Sequence, residues 1–525
     1  MDESTWTRVA EESALVEGVP VLAESGEEKI LLVRVEGKVH AVGHECPHYQ
    51  EKLENGVLFG REVVCKSHFA RLDVTTGKMV APPALNDLPT YPVKVENGGV
   101  YVGPAAKPKF PKPAEPLGSD PRVFVIVGAG AGGNAAAETL RRQGFAGRIL
   151  LITDEVERPY DRPNLSKDFM TGKAGEEWLP LRGPKFYAAQ GIELLTGRRV
   201  VSLDPGKKTV RFEDGETLSF DRALLATGGV PRALSVPGGD GEGCHLLRTA
   251  ADARSILAAA VQQKSVALVG AGFIGLELAG SLRERGLAVT VVAPEALPLA
   301  GVLGDRVGAF LKTLHEKKGV AFLLGRTVTR IEGPVGGKVL TLSDGSRLEA
   351  GFVVIGLGIR PAVDYLAGTS LVEAGAVPVD DRMQTRAAGI FAAGDIAAVP
   401  DRDWGSRRVE HWVVAERQGR RAAICMLDSD PGADEVSFFW SRQAGLSLKY
   451  AGYAKDFDQV VFRGAVEEGK FIAGYYRGGR LKAAATIAMA HELVAIERLL
   501  RHGAPPSADQ LGNPGFDVMA AARRV

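Results

Sequence analysis

The sequence predicts a multidomain protein: an all-β domain, then two doubly wound α/β domains, then an α+β C-terminal domain. Three observations predict it. Short alternating apolar runs separated by Gly-, Asn- and Pro-containing turns fill residues 1–103, as in an all-β domain. Apolar strands then alternate twice with Ala-rich helical patterns, near 123–154 and near 266–295, as in parallel α/β folds. The last ninety or so residues carry aromatic, strand-like runs and end in an Ala/Leu/Glu-rich helix.

A proline-rich segment marks the first domain boundary. The run PAAKPKFPKPAEPLGSDP has a proline every few positions and few β-branched or aromatic residues, which favours an extended connector. The changes of pattern along the chain predict five parts: the all-β domain (1–103), the connector (104–121), a first α/β domain in two pieces (122–249 and 373–428), a second α/β domain (250–372) and the C-terminal domain (429–525).

The composition indicates a soluble enzyme. The 64 basic residues balance the 64 acidic ones among 525 residues, so we expect no nucleic-acid partner. The N-terminus is acidic and no apolar run of about 18 residues occurs, so we expect a cytoplasmic protein without membrane insertion. The four cysteines include no Cys-x-x-Cys pair, which argues against disulfide exchange as the chemistry.

Two short loops each supply one cysteine and one histidine. Cys46-Pro-His48 is followed by Cys65-Lys-Ser-His68. A Rieske-type [2Fe–2S] centre needs two thiolates on one iron and two imidazoles on the other, which these loops provide. Two alternatives stay open from the residues alone: a tetrahedral zinc site with the same four ligands, or four unrelated side chains.

The loops resemble those of the Rieske ferredoxin family, with departures. That family's second loop usually reads Cys-Pro-Trp-His-Gly, whereas Lys66, Ser67 and Phe69 stand at its variable places here. Gln50 stands where the first loop often has glycine. Glycine lets backbone N–H groups approach the sulfurs, so these residues bear on the potential of the cluster. A low-potential, ferredoxin-like centre is expected.

Two glycine-rich runs predict dinucleotide sites. VFVIVGAGAGGNAAAETL and VALVGAGFIGLELAGSL each place Gly-x-Gly-x-x-Gly between a strand and a helix, whose N-terminus can bind a pyrophosphate. Asp154 ends the next strand of the first unit, where an adenosine ribose would lie. The six glycines are Gly128, Gly130 and Gly133 in the first run, and Gly270, Gly272 and Gly275 in the second.

Further segments resemble one flavoprotein family. RPYDRPNLSK matches the PYxRPxLSK stretch of the apoptosis-inducing-factor group, and LLATGGVPR and GIFAAGDI resemble loops of flavin reductases. The chain is similar over almost its whole length to this group of glutathione-reductase-like flavoproteins, in particular to the subgroup with an N-terminal Rieske domain. The resemblance implies an FAD-binding first α/β domain and an NAD(P)-binding second one.

The resemblance also implies roles for single residues around the flavin. It places Arg162 and Lys167 against FAD, with Lys167 beside the flavin N5 region, and it gives Gly394 and Asp395 the ribitol, ahead of a helix. The loop that crosses between the domains contributes Ala226, Thr227 and Gly228. A solvated surface lysine is the alternative for Lys167.

The resemblance implies a nicotinamide side as well. Phe273 is expected to be a gate residue near the isoalloxazine and Glu277 a partner of the nicotinamide carboxamide, so that Lys167, Phe273 and Glu277 form the predicted catalytic set. The aromatic residues that the resemblance places near the flavin are His411, Trp412 and Trp440. Packing in the core is the alternative for the aromatic residues and for Phe273 and Glu277.

The segment after the strand VTVV bears on the choice of coenzyme. The family usually has an acidic residue for the NAD ribose there, whereas this chain has Ala293, Pro294 and Glu295. No Arg or Lys cluster follows to hold a 2′-phosphate. NADH is therefore favoured without NADPH being excluded, and Glu295 is a displaced candidate for the ribose.

Together these motifs predict an FAD-dependent NAD(P)H oxidoreductase of the ferredoxin reductase type. Nicotinamides deliver two electrons at once and a [2Fe–2S] centre accepts one, so a flavin is needed between them. Electrons would pass from NADH through FAD and the cluster to an external acceptor such as an oxygenase component, a cytochrome or a quinone. The alternative is an NADH-responsive redox sensor that signals through a flavin charge-transfer state; a homodimer is possible in either case.

Overall fold

The computed structural model describes residues 6–108, 110–111, 113–432 and 435–525. The remaining residues lie outside the described part of the chain; they are 1–5 of the predicted β domain, 109 and 112 of the predicted connector, and 433–434 of the predicted C-terminal domain. Among the residues that are described, none of the helices combines the length and the apolar character needed to cross a bilayer.

The N-terminal domain is built from strands, as predicted. They form a three-stranded sheet in the order β1-β11-β10 and two four-stranded sheets in the orders β2-β3-β4-β9 and β5-β6-β7-β8. The strands are β1 (Thr7–Glu11), β2 (Val21–Ser25), β3 (Glu28–Val35), β4 (Lys38–Gly43), β5 (Val57–Phe59), β6 (Glu62–Val64), β7 (Arg71–Asp73), β8 (Met79–Ala81), β9 (Thr90–Tyr91), β10 (Val93–Glu96) and β11 (Gly99–Val102).

The first α/β domain begins with a parallel sheet in the order β14-β13-β12-β18-β30. Its last strand comes from the second piece of the domain. The elements of the first piece are β12 (Val123–Val127), α1 (Ala131–Arg142), β13 (Arg148–Ile152), α2 (Asp168–Thr171), α3 (Phe186–Ala189), β14 (Ile192–Leu195), β15 (Val200–Asp204), β16 (Thr209–Phe212), β17 (Thr217–Ser219), β18 (Arg222–Leu225) and β19 (Gly229–Pro231).

The second α/β domain repeats this plan with a parallel sheet in the order β20-β27-β21-β22-β23. Its first strand, Cys244–Leu246, precedes residue 250, where the sequence placed the start of the domain; three residues carry too little pattern to be read as a strand. The elements are β20 (Cys244–Leu246), α4 (Ala250–Gln262), β21 (Ser265–Val269), α5 (Phe273–Glu284), β22 (Ala288–Ala293), α6 (Ala300–Leu303), α7 (Asp305–Lys317), β23 (Val320–Leu324), β24 (Val328–Glu332), β25 (Lys338–Leu342), β26 (Arg347–Ala350), β27 (Phe352–Ile355) and β28 (Ile359–Pro361).

The chain then returns to the first α/β domain and ends in the α+β domain. The C-terminal sheet is antiparallel, in the order β33-β34-β37-β36-β35. The elements are β29 (Val377–Pro378), β30 (Ile390–Ala392), β31 (Ala397–Asp401), β32 (Gly405–Arg407), α8 (Trp412–Cys425), β33 (Phe438–Gln443), β34 (Leu446–Gly452), β35 (Gln459–Ala465), β36 (Lys470–Arg477), β37 (Arg480–Ile487), α9 (Ala490–Arg501), α10 (Ala508–Gly512) and α11 (Val518–Arg523). The predicted fold class is confirmed.

The last glycine of each motif lets a helix lie directly against the preceding loop. A Cβ on Gly133 would lie 1.8 Å from the carbonyl oxygen of Gly128, and one on Gly275 would lie 2.3 Å from that of Gly270. No side chain fits at such distances, so any other residue would push α1 or α5 away from its sheet. These glycines therefore set the position of the helix N-termini.

The connector contacts the domains on both sides. Ala106 exchanges two backbone hydrogen bonds with Thr90 of the N-terminal domain, at 2.7 and 3.2 Å. The ring of Phe110 lies edge-on to that of Phe186 in the first α/β domain, with 5.1 Å between centroids. The predicted extended segment is therefore held at both ends rather than being a free tether.

The N-terminal and C-terminal domains share one hydrophobic core. Phe59 and Phe69 of the N-terminal domain belong to the same buried cluster as Phe438 and Leu493. The rings of Phe69 and Phe438 are stacked with 4.1 Å between centroids. Domains joined by a hydrophobic interface do not move independently, so the N-terminal domain is fixed against the rest of the molecule.

Phe69 adopts a left-handed backbone conformation, with φ of 61°. A non-glycine residue there costs about 1–2 kcal/mol. Burial of the ring between the two domains offsets that cost, since the side chain is 1% exposed. A bulky residue thus replaces the usual glycine because it joins the domains.

A buried carboxyl group lies on α8. The side chain of Glu416 is 3% exposed. Burial, with a smaller contribution from the charge of Asp161, raises the pKa of Glu416 from its ordinary value of 4.5 to about 8. Glu416 therefore keeps its proton at neutral pH in the folded protein.

We expect Phe69→Gly to be more stable than Phe69→Ala, although glycine is the smaller residue. Phe69→Ala removes the buried ring at a cost of roughly 3–5 kcal/mol. Phe69→Gly removes the same ring but relieves the left-handed strain, so it should be the more stable variant by about 1 kcal/mol. Thermal unfolding of the full chain measures both; a less stable glycine variant would contradict the strain argument.

Glu416 predicts a pH dependence of stability. A raised carboxyl pKa contributes stability that is present below the unfolded pKa and is lost as pH rises from 4.5 toward about 8. The loss has a limiting slope of roughly 1.4 kcal/mol per pH unit. Glu416→Gln should remove this slope, so the variant should gain stability relative to the native chain between pH 6 and pH 8. Parallel pH dependences for the two proteins would refute the assignment.

Candidate functional site

The two cysteine-bearing loops have the same backbone turn. In the first, the Cys46 N–H donates to the Glu51 carbonyl at 2.8 Å and the Gln50 N–H donates to the Cys46 carbonyl at 2.9 Å. In the second, the Cys65 N–H donates to the Ala70 carbonyl and the Phe69 N–H donates to the Cys65 carbonyl, both at 2.9 Å. Gln50 and Phe69 both have a positive φ, of 54° and 61°. The turn that glycine usually makes is thus kept without glycine.

The four side chains of these loops converge in two pairs. The Nδ1 atoms of His48 and His68 are 3.0 Å apart. The thiols of Cys46 and Cys65 are the second pair of neighbours, and these residues are 1% and 2% exposed. This donor set fits a Rieske cluster, with one iron facing two thiolates and the other facing two imidazoles.

The side chains are paired by type, histidine with histidine and cysteine with cysteine, as a two-iron centre needs. A structural zinc ion instead takes all four ligands at one centre. Burial lowers the pKa of His48 to about 3, which keeps its ring neutral and able to bind iron.

A large cleft separates the two α/β domains and reaches the C-terminal domain. Its volume is about 1020 Å³, which suits a dinucleotide cofactor. Most of the residues that the sequence predicts at the flavin and the nicotinamide line it; they are Gly128, Gly130, Asp154, Arg162, Lys167, Ala226, Thr227, Gly228, Gly272, Phe273, Glu277, Gly394, Asp395, His411, Trp412 and Trp440.

Two helices point their N-termini toward the cleft. Gly130 precedes α1 and Gly272 precedes α5 as the N-cap residue. A Cβ on either glycine would meet no atom within 4 Å, so open space lies in front of both helix ends. Free N–H groups and the helix dipole make each end suitable for a pyrophosphate. Gly133, Gly270 and Gly275 are not among the lining residues and position the helices instead.

Asp154 and its neighbour Glu155 both line the cleft, and hydrogen bonds hold only Glu155 in place. Asp154 is exposed at the cleft. The carboxylate of Glu155 accepts from the Tyr160 hydroxyl and from the Arg162 guanidinium, each at 2.6 Å. Both carboxylates follow β13, so the sequence contains the signal but does not distinguish the two neighbours.

Asp395 is fixed at the cleft by a cation. The guanidinium of Arg248 donates to its carboxylate at 3.0 Å, and Asp395 is 9% exposed. The predicted helix directly behind it is wrong: Gly394–Ile396 is a single 3₁₀ turn, and β31 follows. The long helix comes later, as α8, and its N-cap His411 lies at the same cleft.

Glu277, in the second α/β domain, accepts hydrogen bonds from two other domains. Its carboxylate accepts from Lys167 at 2.7 Å and from Ser166 at 2.5 Å, both in the first α/β domain. It also accepts from the Ser441 hydroxyl at 2.6 Å and from the Arg442 N–H at 3.1 Å, both on β33. Lys167 and Glu277 are thus an ion pair at the cleft, which the sequence did not predict.

An aromatic stack forms another part of the wall. The His411 and Phe439 rings are stacked with 3.9 Å between centroids, and Phe273 lies edge-on to Phe439 at 4.9 Å. Burial lowers the pKa of His411 to about 4, so its ring is neutral. Phe439 lines the cleft but was missed, because in FFWSRQ only Trp440 stood out.

Trp440 connects the cleft to the predicted iron ligands. It lines the cleft, and its ring lies 4.3 Å from that of His68 and 6.1 Å from that of His48, centroid to centroid. The loop of His48 reaches the first α/β domain as well, since the Tyr49 hydroxyl donates to Asp161. The structure therefore brings the predicted cluster site and the predicted flavin site into contact.

Glu295 is not brought to the cleft. It is exposed, two residues beyond the end of β22, and is not among the residues that line the cavity. Its backbone carbonyl accepts from the Gly325 N–H at 3.1 Å. The role of Glu295 toward a ribose stays a prediction from the sequence.

Three domain families match the chain in order. Residues 5–92 match the Rieske [2Fe-2S] domain, residues 122–419 match the Pyridine nucleotide-disulphide oxidoreductase family, and residues 438–522 match the Reductase C-terminal domain. The matches agree with the division of the structure into an all-β domain, two α/β domains and an α+β domain.

Some named relatives match most of this chain, and others match about three quarters of it. Apoptosis-inducing factor 3 of Homo sapiens is 38% identical over 480 residues, covering 88% of this chain and 78% of the relative. The anthranilate 1,2-dioxygenase system ferredoxin–NAD(+) reductase component of Burkholderia cepacia is 36% identical over 400 residues, covering 76% of this chain and 98% of the relative.

Solved structures agree with these relatives. The reductase in the covalent putidaredoxin reductase–putidaredoxin complex superposes with a TM-score of 0.73 at 31% identity, covering 77% of this chain and 99% of that one. The ferredoxin reductase of the CYP199A2 system from Rhodopseudomonas palustris gives 0.73 at 32% identity, covering 76% and 100%. With its cleft, its cysteine–histidine loops and these matches, the chain belongs to the pyridine nucleotide-disulphide oxidoreductase family, as an FAD-dependent, NAD(H)-linked reductase with a Rieske [2Fe–2S] domain.

Proposed function

We propose that the chain carries electrons from NADH through FAD to its own Rieske cluster, and from there to an external acceptor. The observation that carries the proposal is the position of Trp440, which lines the flavin cleft and contacts the iron ligand His68. Bound FAD accepts a hydride and returns electrons one at a time, and a [2Fe–2S] cluster takes one electron. The fixed N-terminal domain keeps the two sites adjacent in every turnover.

The nicotinamide side of the cleft has residues for binding and orientation. Phe273 and Glu277 are at the start of α5, and Glu277 is paired with Lys167. A nicotinamide carboxamide would donate to this carboxylate in place of one of its four present donors, while Lys167 neutralises its charge. Phe273 would exclude water from the reacting ring until NADH enters.

For the electron acceptor we propose a class of molecule rather than a single one. Relatives are named as ferredoxin–NAD(+) reductase components of dioxygenase systems and as putidaredoxin reductase. We propose an oxygenase component, a cytochrome or a quinone as the external acceptor of this chain. A cytoplasmic location and a homodimer stay predictions from the sequence.

The contact between the cleft and the predicted cluster site supports the relay over the redox-sensor alternative. A sensor that acts through a long-lived reduced flavin has no use for an aromatic contact to the iron ligands, since that contact would drain the flavin of electrons. Rapid reoxidation by ferricyanide or cytochrome c supports the relay. Slow reoxidation by both acceptors, with NADH-dependent dimerisation, would favour the sensor.

We expect Trp440→Leu to separate the two stages of the relay. NADH should bleach the flavin absorbance at the native rate, because the nicotinamide side is unchanged. Bleaching of the cluster should be slower, because the aromatic bridge from the cleft to His68 is gone. Stopped-flow absorbance after mixing with NADH measures both rates.

Trp178 provides the matched control for this substitution. It is 58% exposed and does not line the cleft, so Trp178→Leu should leave both rates unchanged. Slower cluster reduction in both variants, or in neither, would count against Trp440 as the bridge. No bleaching of the cluster in the native protein after its flavin is reduced would overturn the relay itself.

The Lys167–Glu277 pair gives a separate prediction about stability. Removing one partner of a buried ion pair costs about 3–5 kcal/mol, so Glu277→Ala should be strongly destabilised, with Lys167 left uncompensated. The control is an exposed pair whose carboxylate is on the same helix, α5: Lys173 and Glu284 are also 2.7 Å apart but 57% and 40% exposed. Glu284→Ala should cost about 0–1 kcal/mol. Urea unfolding measures both, and equal losses would contradict the argument.

A further inference from the structure

The second ligand loop contains two polar residues that the relay does not explain. Lys66 and Ser67 lie between the ligands Cys65 and His68. Both reach across to the first loop. The Ser67 hydroxyl donates to the Glu51 carboxylate at 2.5 Å, and the Lys66 ammonium lies 3.8 Å from the other oxygen of the same carboxylate.

Glu51 is itself held firmly in the first loop. Its carbonyl oxygen accepts the Cys46 N–H at 2.8 Å and so closes the turn that carries the first pair of ligands. Its side chain is 29% exposed, and that of Lys66 is 33% exposed. One residue thus has its backbone bonded to one ligand loop and its side chain bonded to the other.

No disulfide is available to hold the two ligand loops together. The four cysteines are two cluster ligands, Cys46 and Cys65, and two residues of other domains, Cys244 on β20 and Cys425 on α8. A disulfide between the ligand loops is therefore impossible, and contacts between the loops must hold them together. The hydrogen bond from Ser67 is charge-assisted, and bonds of that kind are about twice as strong as neutral ones.

We propose that Glu51 is a positioning residue that braces the two ligand loops of the cluster. Its bond to Ser67 keeps the Cys65–His68 loop against the Cys46–His48 loop, and so keeps the two ligand pairs at the spacing that the cluster needs. Its negative charge disfavours the added electron and lowers the reduction potential of the cluster. The inference concerns the retention and potential of the cluster, and it does not depend on which acceptor receives the electrons.

Three variants of the brace separate the hydrogen bond from the charge. Glu51→Ala removes both, Ser67→Ala removes the hydrogen bond alone, and Glu51→Gln keeps an oxygen that can accept from Ser67 but removes the charge. Lys52→Met is the control, because Lys52 pairs with Glu45 on the same loop, at 45% and 41% exposure, and bridges nothing.

The first measurement is the loss of cluster absorbance from the full, FAD-loaded protein in the presence of an iron chelator and without NADH. Glu51→Ala and Ser67→Ala should lose the cluster roughly tenfold faster than the native protein, which corresponds to about 1.4 kcal/mol. Glu51→Gln should be close to native, and Lys52→Met should be native. Loss at the native rate in Ser67→Ala, or equal acceleration in Lys52→Met, would overturn the brace.

The second measurement is the midpoint potential of the cluster, from an EPR-monitored redox titration. Glu51→Gln should raise the potential, while Ser67→Ala should change it less, because the carboxylate remains. A potential unchanged by Glu51→Gln would overturn the role of the charge. If Glu51→Ala does not assemble the cluster, the other two variants still decide the proposal, and flavin content reports whether the reductase domains are folded. Because no step uses NADH, failure here is separate from failure of the relay.

Discussion

The carboxylate of Glu277 is the contact on which the arrangement of domains around the flavin depends. Burying a charge is costly unless it is paired and hydrogen-bonded. Glu277 is 5% exposed and meets this condition with one cation, Lys167, and with donors from two further positions on β33. Because its partners come from the two domains on either side of its own, none of the three can shift without leaving a buried charge unsatisfied.

Strand β33 connects Glu277 to the predicted iron ligands. Ser441 and Arg442, which bond to Glu277, directly follow Trp440 in the chain. Trp440 lies against His68, and the neighbouring Phe438 is stacked on Phe69. A single strand therefore links Glu277, the wall of the cleft and the second ligand loop. This explains why an N-terminal domain joined through a connector can still be fixed at the flavin.

The sequence predicts features that are defined by residues close together in the chain. Each ligand loop and each glycine motif is such a feature, since its residues lie within a few positions of one another. Contacts between distant residues carry no local signal: Lys167 and Glu277 are separated by 110 positions, and each alone looks like an ordinary charged residue. Sequence spacing also does not choose between Asp154 and Glu155, because both follow the same strand, β13.

The unusual residues of the ligand loops form one pattern. Gln50 and Phe69 keep the left-handed turns that glycine would make without strain, and the Ser67 hydroxyl donates to the Glu51 carboxylate of the other loop. The second ligand loop therefore depends on contacts outside it. Phe69 packs against the C-terminal domain, and Ser67 is bonded to Glu51 of the first ligand loop. A loop with less local stability is tolerated here because the domain that carries it is permanently packed against the reductase. The geometry of the cluster site is therefore a property of the whole chain rather than of its first hundred residues.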